Sequence, residues 1–250
     1  MSERILVLVE GVNKEMDFFD SLNRNFMDLN EKVQLVPFGC NIYSLFQEMK
    51  EYDFDIELER AIELSRSIPE VQKKKIRGVK FGTKYLVFDF DFQEKTMSYE
   101  DKISALNKML SVFNNDSDEG LLLIHYPMFE SFQEQNGSKN TMERNSVLES
   151  ELNKYKESIS IRRLMVDCKS ITYNQFNSYI LTALKESNYI LNGNFEGKIP
   201  YDQLMDSDYE LNIFQKQRNK LELCHKIYKI NTSVLIPVFY FGQAKYKSVS

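Results

Sequence analysis

Two apolar runs that each end in carboxylates constrain this chain most. Ile5 to Val9 leads into Glu10-Gly11-Val12-Asn13-Lys14-Glu15, and Tyr85 to Phe88 leads into Asp89-Phe90-Asp91. Short unbroken apolar runs bounded by polar residues read as buried strands. Placed side by side in a parallel sheet, their carboxyl ends bring Glu10, Glu15, Asp89 and Asp91 into one crevice. Carboxylates crowded in this way repel one another and call for a counter-cation. Hard divalent ions, Mg²⁺ or Mn²⁺, suit such an all-oxygen site.

The surrounding pattern supplies the sheet. Strands are expected at Ile5–Val9, Val33–Phe38, Lys84–Phe88 and Leu121–His125. Helical spacing separates them at Asn13–Leu22, Ile42–Met49, Asp55–Ser67 and Tyr99–Phe113. Strands alternating with helices indicate an α/β fold with an open, mostly parallel four-stranded sheet flanked by helices. Residues 1–132 are expected to form this metal-binding domain. The polar stretch from Gln133 to Ser146 reads as a loop or linker. Residues 147–250 read as a mainly helical extension with helices at Glu149–Tyr155, Tyr173–Ser187, Tyr201–Met205 and Tyr209–Tyr228. A final strand is expected over Ser233–Phe241, at a sheet edge because of Pro237.

Asp89 and Asp91 alternate along the expected strand and so point the same way, with Phe88, Phe90 and Phe92 opposite. The fourth strand runs into His125-Tyr126-Pro127-Met128-Phe129-Glu130, which would deliver Glu130 to the same rim. Lys84 is the candidate for neutralising a scissile phosphate, with Lys95 as a weaker one. His125, inside an apolar strand, reads as a packed, hydrogen-bonded histidine and not as a base.

Composition narrows the classes. The 250 residues are 42% apolar and 28% charged, enough for a real core. No apolar run is long enough to cross a bilayer, and Met1-Ser2-Glu3-Arg4 has no secretory pattern, so a cytoplasmic location is expected. Cys40, Cys168 and Cys224 fit neither a disulfide framework nor a metal motif and are expected to be buried free thiols. Two histidines, His125 and His225, leave no room for a His-rich zinc site. The net charge is −5, yet Lys73-Lys74-Lys75-Ile76-Arg77 and Lys80 lead to Lys84 without an acid. This basic strip reads either as a solvated linker or as a surface for a polyanion beside the metal site.

The order Glu-Gly-x-x-x-Glu after a first strand, followed by a strand ending in Phe-Asp-x-Asp, resembles the TOPRIM domain of topoisomerases, primases and nucleases. The details are most similar to the RloB-like and OLD-type proteins of bacterial anti-phage loci. Tyr126-Pro127-Met128-Phe129-Glu130 is similar to the Asn-Pro-x-Phe-Glu segment of the RloB-like branch, with Tyr126 in place of the Asn. The resemblance covers roughly residues 4–132. It implies Mg²⁺ bound by Glu10, Glu15, Asp89, Asp91 and Glu130, and hydrolysis of DNA or RNA in which Glu10, Asp89, Asp91 and Lys84 take part. It also implies a defence effector working with an ATPase or sensor. No Gly-x-x-x-x-Gly-Lys occurs in the sequence, so the ATPase would be a separate protein. No membrane partner is expected, and a homo-oligomer is open. The alternatives are a non-catalytic scaffold with the same sheet and, more remotely, a phosphohydrolase of the haloacid-dehalogenase type, to whose nucleophile–acid pair Asp89-Phe90-Asp91 is similar.

Overall fold

The computed structural model describes residues 4–26, 33–134, 145–162 and 165–249. Most of the expected Gln133–Ser146 linker lies outside these residues. The chain divides into two compact units, Met1–Leu123 and Ile124–Ser250. The division falls inside the strand that starts at Gly120, earlier than the polar stretch after Phe132, because the last residues of that strand pair with chain from the carboxy-terminal half.

In the first unit, β1 (Ile5–Val9) pairs in parallel with β2 (Val33–Pro37) on one side and with β3 (Thr83–Asp89) on the other. Beyond β3 come β5 (Gly120–Tyr126) and the two-residue antiparallel β4 (Asn114–Asn115). The α/β fold with a mostly parallel, mixed sheet is therefore as expected. Every side chain of β1 is buried, each worth about 1.5–3 kcal/mol of transfer free energy when apolar and fully covered. This explains the unbroken apolar run: β1 has a strand on each edge and is covered on both faces. Pro37 closes β2, an edge strand, where a missing N–H costs no ladder bond.

The helices of this unit are α1 (Lys14–Phe26), α2 (Ile42–Lys50), α3 (Leu58–Leu64), α4 (Glu70–Ile76) and α5 (Tyr99–Val112). Asn41 caps α2 by accepting the Ser44 amide at 3.0 Å, and Ser98 caps α5 through the Asp101 amide at 3.1 Å. The expected helix over Asp55–Ser67 is shorter, and α4 was not anticipated. Lys73, Lys74 and Lys75 therefore ride on a helix and not on a linker. Its single buried residue is Ile76, too sparse an apolar pattern to announce a helix.

In the second unit, α6 (Tyr155–Ile161), α7 (Tyr173–Asn192), α8 (Tyr201–Leu204), α9 (Tyr209–Cys224) and α10 (Ile236–Ser248) predominate. Thr172 and Gln175 form a reciprocal cap at the start of α7, and Gly193, at φ 72°, ends it. The helix expected over Tyr209–Tyr228 stops at Cys224. His225 adopts the left-handed conformation and β7 (Lys226–Tyr228) follows, antiparallel to β6 (Ser146–Leu148). The strand expected over Ser233–Phe241 is also corrected. Thr232–Leu235 is a 3₁₀ turn and Ile236 opens α10, with Pro237 in the first turn where its ring is tolerated. The strand that does return is β8 (Ile230–Asn231), which pairs antiparallel with His125 and Tyr126 of β5.

His125 is packed, as expected. Ser233 donates its hydroxyl to Asn231 Oδ1 at 2.8 Å, so the proton between His125 Nε2 and Ser233 Oγ, 2.8 Å apart, belongs to the imidazole. Of the three cysteines only Cys168 is buried; Cys40 is half-buried and Cys224 exposed. No helix among the described residues is long and apolar enough to cross a membrane.

Candidate metal centre

The carboxyl edge of the first unit's sheet is built around Glu10. Its amide donates to Val87 O of β3 at 3.0 Å, and its carbonyl accepts from Gly39, just past β2, at 2.9 Å. The ladder thus extends one residue beyond β1 on both sides and fixes where the Glu10 side chain starts. Gly39 reaches this position with φ 78°, a conformation open to glycine. Glu10 Oε2 accepts the Asp89 amide at 2.9 Å. The two strand ends are therefore tied by a side chain from one to the backbone of the other.

Gly11 explains the Glu-Gly-x-x-x-Glu spacing. A Cβ at this position would overlap the carboxyl group of Glu15, which folds back over the turn from the first turn of α1. With glycine there, that carboxylate lies directly over the backbone; a Cβ would push it to another position. Glu10 feels the consequence. Burial and then Asp89 hold its carboxyl well above the ordinary range; the Asp89 amide opposes them, and Asp91 and Glu15 add lesser upward pushes.

Asp91 does not continue the strand. β3 ends at Asp89, and Asp91 sits at φ 39° in the loop that follows. The expected alternation of the two aspartates along a strand is therefore corrected: a turn, not the pleat, aims Asp91. Phe90 remains buried, stacked on Phe92 with centroids 5.8 Å apart, and Phe92 meets Tyr99 edge-on. Asn41 Nδ2 donates to Asp91 Oδ2 at 3.1 Å while its Oδ1 caps α2. Burial raises the Asp91 carboxyl, with Asp89 and Glu94 adding to the effect, while the Asn41 bond and the Lys102 ammonium pull it down.

Three further residues, not anticipated from sequence, support this edge. Tyr43 donates its hydroxyl to Phe90 O at 3.1 Å. Burial and the charges of Asp91, Glu94 and Glu10 hold it far above the usual phenol range, so it stays protonated and remains a donor. Lys102, buried on α5, donates to the carbonyls of Phe92 (2.8 Å) and Glu94. Glu94 accepts the Thr96 and Met97 amides at 2.6 and 3.0 Å. Together these groups hold the 90–97 loop. An Asn just ahead of the helical spacing of α2 was a readable cap signal for Asn41; nothing local marks Tyr43 or Lys102.

Of the expected site residues, Glu10, Glu15, Asp89 and Asp91 share this edge. Lys84 does not. It lies near the amino end of β3, five residues before Asp89, or about 17 Å at the rise of a strand. There its ammonium pairs with Glu59 at 3.2 Å, both side chains largely buried. Its role is corrected to a structural ion pair. Lys95 is exposed in the loop after Asp91. Glu130 stands in the second unit on a 3₁₀ turn (Phe129–Glu134), where Lys156 pairs with it at 3.0 Å.

Among the described residues, no three acidic, histidine or cysteine side chains stand close enough to hold an ion ready-made. The donor set still fits a hard divalent cation in kind. It is oxygen only, it is anchored on two strand ends, and the glycine space that a Cβ would fill is taken by a carboxylate. No family model, no curated protein and no solved structure matches this chain.

Proposed function

We propose that the chain is a Mg²⁺- or Mn²⁺-dependent nuclease of TOPRIM type, hydrolysing phosphodiester bonds of DNA or RNA at the carboxyl edge of its parallel sheet. The observation that carries this reading is the Glu10 carboxylate braced on the Asp89 amide, with Asp91 and Glu15 raising its proton affinity. Acids that repel one another at a sheet's carboxyl end are stabilised by a cation. Glu10, Asp89, Asp91 and Glu15 would hold it. A bound divalent ion supplies activated water and charge neutralisation at phosphorus.

The chain's own residues do the rest. Gly11 admits the Glu15 carboxylate, Asn41 orients Asp91 by one hydrogen bond, and Lys102 with Tyr43 fixes the loop that carries Asp91. A place in a bacterial anti-phage system, with a separate ATPase or sensor as partner, is the setting that the resemblance suggests for such an effector.

The test is cleavage of plasmid DNA, tRNA and single strands with Mg²⁺ or Mn²⁺, comparing wild type with Asp89→Ala. Cleavage by wild type that the variant loses supports the proposal. Equal activity in both removes it. Calorimetry with either ion that shows no binding, together with tight association to a protein partner, would instead identify a scaffold.

A further inference from the structure

The basic strip singled out in the sequence is not absorbed by the metal centre. Lys74 and Lys75 are exposed on α4, and Arg77 and Lys80 are exposed on the segment that follows. α4 turns its Ile76 into the core and its lysines outward. After Lys80 the chain meets β1 at its beginning: the Gly82 amide donates to Arg4 O at 3.0 Å. Arg4 is exposed there as well. The end of the strip at Lys80 therefore lies toward the amino edge of the sheet, opposite to Glu10, which departs from the reading that set it beside the carboxylates.

Its charge is largely uncompensated. Glu70 is the one acid between Arg66 and Lys84; it pairs with Arg77 at 2.8 Å and also feels the charges of Lys73 and Lys74, so one carboxylate serves several cations. Lys73 spends its ammonium on Ser65 O. Lys75 and Lys80 have no acidic partner among the described residues. The turn that bears Asp116 meets β3 at Lys84 and marks the acidic limit of the strip. Such a cationic surface on a chain of net charge −5 is where a polyanion would be held.

We propose that this strip — Arg4, Lys74, Lys75, Arg77 and Lys80 — docks the phosphate backbone of a nucleic acid. It is a second contact, separate from the metal centre, that positions the strand without taking part in chemistry. The choice of nucleic acid among polyanions rests on the nuclease reading, while the surface itself stands on the placement of the charges. An anionic membrane is disfavoured, because interfacial helices bury an apolar face in lipid. Here α4 is seven residues long and Ile76 faces the protein, leaving Val71 as its exposed apolar side chain.

The experiment is fluorescence anisotropy in EDTA, with labelled duplex DNA and single-stranded RNA as separate arms and vesicles of phosphatidylserine and phosphatidylcholine as a third. Wild type, Asp89→Ala, the triple variant Lys74→Glu/Lys75→Glu/Lys80→Glu and its Gln counterpart are titrated over a range of salt. The expected result is that wild type binds nucleic acid in EDTA, and that Asp89→Ala, which removes a repelling acid from the metal centre, binds no more weakly. The Glu variant should lose at least about tenfold in affinity, and its salt slope should fall by about 0.9 on duplex DNA, or about 0.7 on the single strand, for each phosphate contact removed. The Gln variant should fall between. These lysines are solvent-exposed, so the folded state should persist, and matched circular dichroism checks that it does. Unchanged affinity and slope in the triple variant overturn the docking surface even if metal-dependent cleavage is found. Binding to vesicles but not to nucleic acid overturns it as well. Variant-sensitive binding without cleavage under any metal leaves the surface standing and removes only the nuclease.

Discussion

Glu10 in the first unit and Glu134 in the second are both withdrawn from water, and they resolve that cost in opposite ways. Burial pushes each carboxyl upward. Glu134 is then more than compensated: Lys229 donates at 2.8 Å, Tyr155 at 2.5 Å, and Arg162 closes the group, so its carboxyl ends below the ordinary range. Around Glu10 burial and the Asp89 charge push upward, the Asp89 amide opposes them, Asp91 and Glu15 add to the rise, and the carboxyl ends well above that range. An acid whose cations are built into the chain serves the fold. An acid crowded by other acids is held in place by the fold at some expense to stability, which is the usual mark of a site that recruits a ligand.

The comparison breaks first on activity. Removing outer partners of a metal site typically costs about 10–100-fold, so deleting a direct oxygen by Asp89→Ala or Asp91→Ala should lower cleavage at least about a hundredfold at saturating Mg²⁺. The same loss should not carry over to stability. In EDTA, Glu10→Gln should melt higher than wild type, and the gap should widen with pH. The sign follows from the raised carboxyl: wild type keeps the stabilising protonated form at low pH and loses it as pH climbs from the ordinary carboxylate range through the folded-state value. A Glu10→Gln variant that melts lower than wild type at neutral pH in EDTA would mean that the acids do not repel as described.

The reverse substitution belongs to the second unit. Glu134→Ala strands Lys229, whose side chain is 13% exposed, beside a Tyr155 hydroxyl left without its acceptor. Breaking a buried pair from one side costs about 3–5 kcal/mol, read as a drop in the denaturation midpoint. Mg²⁺ affinity should not change. A loss of metal binding without loss of stability would exchange the roles of the two clusters.

Glu210 sharpens the contrast because it follows neither course. It is buried on α9, and neither of its oxygens has a hydrogen bond of good geometry. Thr232 and the Ile124 backbone lie close enough to pull its proton affinity down, yet burial outweighs them and pushes the carboxyl up to about 8. It is therefore neutral at pH 7 in the folded state and ionised in the unfolded one. Its contribution to stability is complete below about pH 4.5 and is lost as pH rises to about 8. Glu210→Gln should remove this slope, on the order of a few kcal/mol across the window. Melting curves taken through the window decide it: a slope that persists in the variant assigns the titration elsewhere.

The sequence carried the first unit further than the second. Strands buried on both faces leave unbroken apolar runs, which is why β1 and β3 and the acids at their ends were legible. The run from Val234 to Phe241 looks the same on paper but passes from a 3₁₀ turn into α10, since periodicity cannot distinguish a buried helix from a buried strand and Pro237 suits a first helical turn. The end of α9 was hidden because Ile227 and Tyr228 continue its spacing past a His225 turned left-handed. At the site, Lys84 was misplaced although counting along β3 already sets it far from Asp89. Lys102 and Tyr43 were not readable at all. They act on backbone carbonyls of the 90–94 loop, and that relation exists only after α2 and α5 have packed.

The smallest effect probes Asn41, which caps α2 and holds Asp91 with the same amide. Asn41→Asp keeps an oxygen for the Ser44 amide, so the cap should survive. What it removes is the donor to Asp91, and what it adds is another acid at the edge. The cost in EDTA should be about 1 kcal/mol, and it should shrink when Mg²⁺ is added, because a bound cation is favoured by the extra negative charge. Asn41→Ser, which keeps a cap without a charge, should cost the same with and without metal. The difference between these two variants, measured as melting temperatures in EDTA and in Mg²⁺, isolates the electrostatics from the helix cap. An equal metal response in both would show that the negative charge of this edge is not what a cation answers.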